Sequence, residues 1–418
     1  MRTRVEPGWR SGTGTVPDGT TCRDRKTQSG LPLAALALAV VSATSVFDSG
    51  LSLVTGAVVG SVILATRLAT MTVGALEIFA IALTVLYAMS LLWAIDFERS
   101  RHIVAYQVGL LLMFLAVRAV ATSRREIVLI ACGYVLGCVC AVILLIRQNP
   151  GVATGLERSR LRYGIDGLNV NYLGYALATG LVAAVVAVCL ARRRTRMAMA
   201  VLIPAAGMVF GIVQTGSRGA LAAALLVVIW SVVHRHVGRF GVEVMAAAVG
   251  VLSLMLASGL LDDWLRVVDS LSWRSTGDLA NRLYVWPLAR TVFADHWVTG
   301  IGAGGLRSMG LGIGAHNAIL ELGCGLGVLG VVLFVGWLVS GLLGSTRNAA
   351  YRTLLVGGAL ACWAPMLMSG HWELAPPLWI LLGLLSRLHV VPNRSADGKT
   401  PAMVRRYPCS ADGRTVAE

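Results

Sequence analysis

The chain has 418 residues, of which 56% are hydrophobic and only 14% are charged, and its formal net charge is +15. This composition leaves too little polar surface for a water-soluble globular protein of this length. The arginines are spread over short segments between apolar runs, and no nucleic-acid-binding module is recognisable, so the charge does not indicate a nucleic-acid partner.

Apolar runs long enough to cross the hydrocarbon core of a membrane as helices recur along most of the chain. The fold class that they predict is all-α and integral to the membrane, a polytopic bundle of about twelve transmembrane helices. A long hydrophilic segment, 261–315, predicts one large outward loop of partly helical, interfacial character between the ninth and tenth spans. The apolar runs lie near 31–47, 50–66, 71–95, 103–121, 127–146, 171–190, 197–213, 218–233, 241–260, 315–343, 352–370 and 374–391.

The distribution of basic residues predicts the orientation of the bundle. With an even number of spans and a cytoplasmic N-terminus, the inner segments carry roughly twice the lysine and arginine of the outer ones, as the positive-inside rule requires. Residues 1–30 are then a disordered basic tail in the cytoplasm, 31–391 the membrane domain, and 392–418 a cytoplasmic C-terminal tail. We expect a multi-pass protein of the cytoplasmic (plasma) membrane, in contact with membrane lipids.

Most of the eight cysteines fall inside predicted spans, and none falls in a predicted outward loop. Their spacing matches neither a disulfide framework nor a set of metal ligands. The sequence therefore predicts no metal site and no cofactor.

Three predicted outward segments contain arginine against the positive-inside trend, and these are the candidate functional segments. In the turn 214–219, Arg218 opens a helix beside free backbone amides, an arrangement that binds anions. In the connection that contains Arg162 and Asn171, these two side chains are candidates to hold phosphate and sugar hydroxyls. The structural alternatives are a snorkelling arginine in the first segment and a solvated loop with an asparagine helix cap in the second.

The third segment is the large loop. A helix from 281 to 286 is predicted as amphipathic, with the loop tryptophans in the headgroup zone, and 300–305 is interpreted as a flexible glycine-rich bend. His316, Asn317 and Glu321 follow at the start of a long apolar helix. Because Asn317 and Glu321 are four residues apart, we expect them to share a helix face and to bond to each other, or Glu321 to reach another helix, whereas His316 points elsewhere.

Motifs from these segments occur in a recognisable order: Gly216-Ser217-Arg218-Gly219-Ala220, then Arg282 to Trp286, then Asp295-His296 with Gly300-Ile-Gly302-Ala-Gly304, then His316-Asn317-Ala-Ile-Leu320-Glu321. In this order they resemble the superfamily of O-antigen ligases and O-antigen polymerases. Two positions depart from the family pattern: Trp297 stands where a proline is usual, and Gly325 stands where an acidic residue often occurs.

The resemblance implies a membrane glycosyltransferase that takes glycan from a polyprenyl-diphosphate-linked donor outside the cytoplasmic membrane. The acceptor is a hydroxyl of another glycan, a lipid, a wall polymer or a protein. The family's functional residues map onto Arg218, Arg282 and His316, and we expect further substrate contacts from the following side chains: Arg162, Asn171, Arg290, Asn317 and Glu321.

The chemistry expected of these residues needs neither a metal nor a carboxylic acid. Arginine forks neutralise the diphosphate leaving group, and His316, titrating near neutral pH, removes the acceptor proton. The alternatives are a transporter or flippase of lipid-linked glycans, which would use intramembrane charges such as Glu77, and a glycosidase-like pair of loop acids. Ligase and polymerase differ only in the acceptor, so both remain open.

Overall fold

The computed structural model describes residues 33–390 apart from 48–49, 68, 70, 149–161, 238–239, 272–281, 312–313 and 345–351. Both predicted cytoplasmic tails, 1–30 and 392–418, lie outside the described residues. Within those residues the secondary structure is helical and no β-strand occurs. In chain order the α-helices are α1 Leu33–Thr44, α2 Gly50–Arg67, α3 Ala75–Met89, α4 Phe97–Val120, α5 Arg124–Arg147, α6 Val170–Leu190, α7 Arg194–Thr215, α8 Arg218–Val233, α9 Gly241–Ser258, α10 Asp262–Leu271, α11 Arg282–Asp295, α12 Ala318–Leu343, α13 Gly357–Ser369 and α14 Pro376–Leu385.

Eight helical segments of the described chain are long and apolar enough to cross a membrane. They are Ala75–Leu92, Phe97–Val120, Arg124–Arg147, Val170–Leu190, Arg194–Thr215, Gly241–Ser258, Ala318–Leu343 and Arg352–Ser369. Four shorter apolar helices, Leu33–Phe47, Ser52–Arg67, Arg218–Val233 and Pro376–Leu385, coincide with the remaining predicted spans. The all-α membrane class is confirmed, and the total of twelve crossings stays a prediction.

Successive apolar helices run in opposite directions, so their ends gather at two ends of the bundle. At one of them, Ser100 at the start of α4 donates to the carbonyl of Ala303 at 2.8 Å. Tyr172 at the start of α6 donates to the carbonyl of Ser45 at 2.7 Å. The starts of α4, α6, α8, α11 and α12 and the ends of α7 and α13 lie here, and we call this the site end.

The opposite end is closed by a buried ion pair. Glu77, in the first turn of α3, is 1% exposed and accepts from Arg118 Nε, at the end of α4, at 2.6 Å. Arg118 Nη1 also donates to Ser386 Oγ, just after α14, at 2.9 Å. Glu77 is therefore a clamp between three helix ends, on the far side of the bundle from the site end.

The glycine-rich segment that follows α11 pairs with a break in α12. Gly327 interrupts the helical backbone of α12 with φ +67°, which frees nearby carbonyls. Ile301 N donates to Cys324 O at 2.8 Å and Gly302 N to Gly325 O at 3.0 Å. Gly302 itself has φ +90°, and a Cβ there would lie 2.5 Å from the Cα of Ala94. The prediction of a flexible bend is wrong, because these glycines permit close backbone packing that fixes the segment.

Candidate functional site

His316 lies in the loop immediately before α12 rather than on the helix. Its φ of +51° is a left-handed conformation that is costly for a residue with a Cβ. The neighbouring Ala315 is held on both sides: its N–H donates to Glu321 Oε2 at 2.9 Å, and its carbonyl accepts from Trp286 Nε1 at 2.7 Å. Asn317 caps α12 by accepting from the backbone of Ile319 at 3.0 Å. The loop thus presents the imidazole from a fixed backbone.

Helix periodicity predicted a contact between the side chains of Glu321 and Asn317, and the structure does not show this contact. Asn317 is the N-cap, so its backbone is extended (φ −148°) and its side chain turns toward the N–H groups of the first turn instead of lying on the helix face with Glu321. Glu321 instead turns back to the loop, and its Oε2 lies 3.6 Å from His371 Nδ1. His371 follows α13, so Glu321 reaches another helix connection, which was the second option of the prediction.

His371 stacks near His316, with 4.6 Å between the ring centroids. Burial lowers the pKa of His316 to about 3, and the positive charges of His371, Arg282 and Arg307 add to that effect. The expectation that His316 titrates near neutral pH does not hold in this structure. His316 is a neutral imidazole at physiological pH, held among cationic side chains.

Arg282 and Arg218 form the cationic part of the site. Arg282 Nη2 donates to the carbonyl of Ser369 at 2.8 Å, whereas its Nε is buried with no hydrogen-bond partner among the described residues. Burial lowers the pKa of Arg282, the Tyr175 hydroxyl raises it, and the positive charge of Arg218 lowers it. Arg218 pairs with the fully buried Asp269 of α10, with 3.1 Å between Nη1 and Oδ1. The two guanidinium groups thus interact across the site.

Arg162 joins two of the predicted segments. Its Nη2 donates to Asn171 Oδ1 at 2.6 Å and its Nε to the carbonyl of Thr215 at 3.0 Å. The α6 cap is Asn169, which accepts from the backbone N–H of Asn171 at 2.9 Å. The asparagine helix cap that was the structural alternative is therefore present at Asn169, and Asn171 remains available as a side chain of the site.

Arg290 lies two turns beyond Arg282 on α11 and makes a different set of contacts. It forms a two-pronged ion pair with Asp262, at 2.6 and 2.9 Å, and donates to the carbonyls of Leu256 and Ala257 at the end of α9. These contacts anchor α9 to α11. The predicted contact between Arg290 and substrate stays a prediction. It is not favoured, because the guanidinium already binds Asp262 and two backbone carbonyls.

The loop tryptophans do not form a single interfacial belt. Trp286 is 3% exposed and donates to the loop carbonyl described above, because α11 packs that face inward. Trp264 and Trp297 are more than half exposed, as an interfacial position requires. Trp273 lies outside the described residues.

Two cavities meet at the site end, of about 510 and 470 Å³. His102, Arg307 and His371 line both. The smaller one also contains Asn171, Tyr175, His316 and Ser369; the larger one contains Asp96, Glu98, Arg99, Glu321 and Glu373. No group of three or more histidine, cysteine, aspartate or glutamate side chains in the described chain is arranged to hold a metal ion.

Three residues that line the cavities, Arg307, His371 and Glu373, were not among the predicted site residues. His371 and Glu373 stand in the short stretch Ser369-Gly370-His371-Trp372-Glu373 between the last two apolar runs. The predicted topology places this short connection on the same side of the membrane as His316. Two ionisable residues in so short a connection could have indicated that it belongs to the site.

Residues 203–335 match the family described as O-antigen ligase. This segment, about one third of the chain, contains Arg218, Arg282, His316 and Glu321, whereas Arg162, Asn171 and His371 lie outside it. No curated protein matches the chain. The family match confirms the resemblance drawn from the motifs: the chain is a multi-helical membrane protein with a segment that matches the O-antigen ligase family.

Proposed function

We propose that this protein transfers glycan from a polyprenyl-diphosphate-linked donor to an acceptor hydroxyl at the outer face of the cytoplasmic membrane, in cell-surface polysaccharide biosynthesis. The observation that carries the proposal is the pair of interacting guanidinium groups, Arg218 and Arg282, gathered with His316 at one end of a membrane bundle. Asp269 already pairs with Arg218, but Arg282 has a buried nitrogen with no hydrogen-bond partner among the described residues, and an anion that joins the two guanidinium groups offsets their repulsion. A diphosphate is an anion of the right geometry for arginine forks.

Donor binding also activates the base in this arrangement. The pKa of His316 is lowered by burial and then by the charges of His371, Arg282 and Arg307. A diphosphate held by Arg218 and Arg282 neutralises part of that charge, so its arrival raises the pKa of His316 and makes the imidazole a stronger base. Deprotonation of the acceptor is therefore favoured where a donor is bound.

The reaction is a displacement at the anomeric carbon of the donor sugar. His316 takes the proton of the acceptor hydroxyl, the acceptor oxygen bonds to the anomeric carbon, and the bond to the phosphate oxygen breaks with its electron pair. Arg218 and Arg282 hold the negative charge that develops on the leaving diphosphate. These roles need no metal ion, and an attack opposite the leaving group inverts the anomeric configuration.

The remaining predicted residues have supporting parts in this proposal. Asn171, Ser369 and Tyr175 line the smaller cavity and offer hydrogen bonds to phosphate and sugar oxygens, and Arg162 donates to Asn171. Asn317 fixes the start of α12, and Glu321 fixes the loop that carries His316. The acceptor, whether a second carrier-linked glycan or a final lipid, wall polymer or protein, decides between polymerase and ligase.

The transporter alternative depended on Glu77 as an intramembrane charge. The bond to Arg118 and the capping bond from Gly74 N at 3.0 Å give that carboxylate a structural role at the opposite end of the bundle. No observation on the described helices favours a transport pathway over the transferase proposal.

The test is a transfer assay with purified protein, a lipid-diphosphate-linked glycan and a candidate acceptor, run with and without excess chelator. We expect His316→Ala to lower the transfer rate by about 10²- to 10⁴-fold while donor binding is retained. We expect Arg282→Lys to weaken donor binding, because an ammonium group cannot reproduce a two-pronged phosphate contact. The matched controls are His389→Ala and Arg387→Lys, whose side chains contact the carbonyls of Ser386 and Arg118 at the opposite end of the bundle. Unchanged turnover in His316→Ala, or strict dependence on a metal ion, would overturn the proposed mechanism.

A further inference from the structure

We propose that His371 is a second proton acceptor of the reaction, which receives the acceptor's proton by way of His316 and is stabilised as a cation by Glu321 and Glu373. This inference rests on the glycan transfer proposed above and adds three side chains outside the two arginines and His316. Two of the three, His371 and Glu373, also lie outside the segment that matches the O-antigen ligase family.

The first support is the pairing of one imidazole with two carboxylates. His371 Nδ1 lies 3.6 Å from Glu321 Oε2 and 3.7 Å from Glu373 Oε1. Carboxylates on one ring nitrogen keep the proton there and leave the other nitrogen with its lone pair, which is the arrangement of an oriented general base. Nε2 of His371 is buried and has no hydrogen-bond partner among the described residues.

The second support is the state of Glu373. Its side chain is 2% exposed, and neither carboxylate oxygen has a hydrogen-bond partner in the described part of the chain. A buried carboxylate in that state is expensive, and it is retained where a positive charge has to be stabilised beside it. An imidazolium on His371 is that charge.

The third support is the stacking of His316 on His371. The ring centroids are 4.6 Å apart and the ring planes are inclined by 48°. We infer that side-chain rotation brings a nitrogen of each ring to hydrogen-bond distance. His316 alone is a poor final acceptor, because its cationic neighbours disfavour a charge on it. His371 has the carboxylates that His316 lacks.

The proton balance is as follows. The acceptor O–H bond breaks, and its proton bonds to one nitrogen of His316 while the proton on the other nitrogen of that ring moves to Nε2 of His371. His316 is neutral again, and His371 is an imidazolium that still carries its Nδ1 proton. The electrons of the acceptor oxygen form the glycosidic bond, and those of the broken sugar–phosphate bond leave on the diphosphate.

Several charged groups face His371 from the surrounding elements. Glu321 comes from α12, Glu373 from its own connection, and His316 and Arg307 from the loop between α11 and α12. The start of α4 contributes four more groups: His102 lines both cavities, and Asp96, Glu98 and Arg99 line the larger one. The Tyr87 hydroxyl of α3 interacts with Glu321 and Glu373. Burial lowers the pKa of His371, Arg307 lowers it further, and the two glutamates more than offset both, so that the pKa lies above its usual value.

The larger cavity provides the exit for the proton. It extends from His371 and the buried Glu373 to Asp96 and Glu98. The side chain of Glu98 is 69% exposed. After each turnover His371 can therefore release its proton through carboxylates to the solvent without reversing the path through the donor.

The test is the pH dependence of kcat for the full-length protein with a lipid-diphosphate-linked glycan. Transfer needs a neutral His371, so kcat should rise with pH through the pKa of that group. Glu373→Gln removes a negative charge that favours the imidazolium, so the rise should move to lower pH. Glu321→Gln should shift the rise in the same direction, because it also removes a negative charge beside His371. The amide oxygen of glutamine can still accept from Ala315 N, so the loop is kept. His371→Gln should lower kcat by about 10²-fold or more and leave donor binding unchanged.

Glu243→Gln is the matched control, since Glu243 pairs with Arg352 at the opposite end and its loss should not move the profile. The relay is overturned if Glu373→Gln and Glu321→Gln have the profile of the wild type, or if His371→Gln transfers glycan at the wild-type rate. A reduced kcat with no shift of the profile shows that the glutamates only shape the site, which also overturns the relay. Failure of the wild type to transfer glycan is a different result and refutes the proposed function itself.

Discussion

Gly302→Ala tests whether the glycine-rich segment is packed as described. The new Cβ would lie 2.5 Å from Cα and 2.7 Å from Cβ of Ala94, and the backbone atom cannot rotate away. A left-handed backbone costs an alanine about 1–2 kcal/mol. Forcing a methyl group into a filled space typically adds about 1–3 kcal/mol. We therefore expect Gly302→Ala to lower the free energy of unfolding by about 2–5 kcal/mol.

The structure offers a control that separates the two contributions. Gly167 also has a left-handed φ, +77°, but no atom lies within 4 Å of the position of its Cβ. Gly167→Ala should lose only the backbone contribution, about 1–2 kcal/mol. Both variants would be compared with the wild type by denaturant unfolding in one detergent. Equal stability of Gly302→Ala and Gly167→Ala would refute the packed segment and restore the flexible bend.

Two other predictions concern the opposite end and the orientation. Glu77→Gln should lower the free energy of unfolding by about 3–5 kcal/mol, because Arg118 loses its buried partner, while the donor Kd is unchanged; lost donor binding at unchanged stability would contradict this role. With Ser308→Cys and Thr195→Cys each as the only accessible cysteine, a membrane-impermeant maleimide should label the first in intact cells and the second only after permeabilisation. The reverse pattern would place the site end in the cytoplasm and refute the outer-face assignment.

The helices themselves were predictable because each crossing requires a long apolar run, which the sequence displays directly. Arg218 and His316 were candidates because polar residues at the rim of an apolar helix stand out, whereas Arg282 was nominated by the resemblance to O-antigen ligases and polymerases. Their convergence at one end follows from the alternation of helix direction. Their contribution to catalysis stays a prediction, as does that of the proposed substrate contacts.

The details of the site were not predictable, for a physical reason. Helix periodicity placed Glu321 beside Asn317, but Asn317 is the cap of α12, and its extended backbone takes its side chain off the helix face that periodicity assumes. Which side chain then approaches Glu321 depends on how α13 packs against α12, and no local pattern encodes this. The same holds for Trp286, whose burial depends on the loop that crosses over it.

Helix α6 has a consequence for how the protein responds to its membrane. In the most apolar stretch of α6, 83% of the residues are buried inside the protein, whereas in the corresponding stretches of α7 and α9 only 17% are buried. The outer helices therefore meet the acyl chains and can tilt when bilayer thickness changes. Helix α6 carries Asn171 and Tyr175 and packs against α5, α7 and α8. We therefore expect the geometry that α6 supplies to the site to respond less to bilayer thickness than the tilt of the outer helices does.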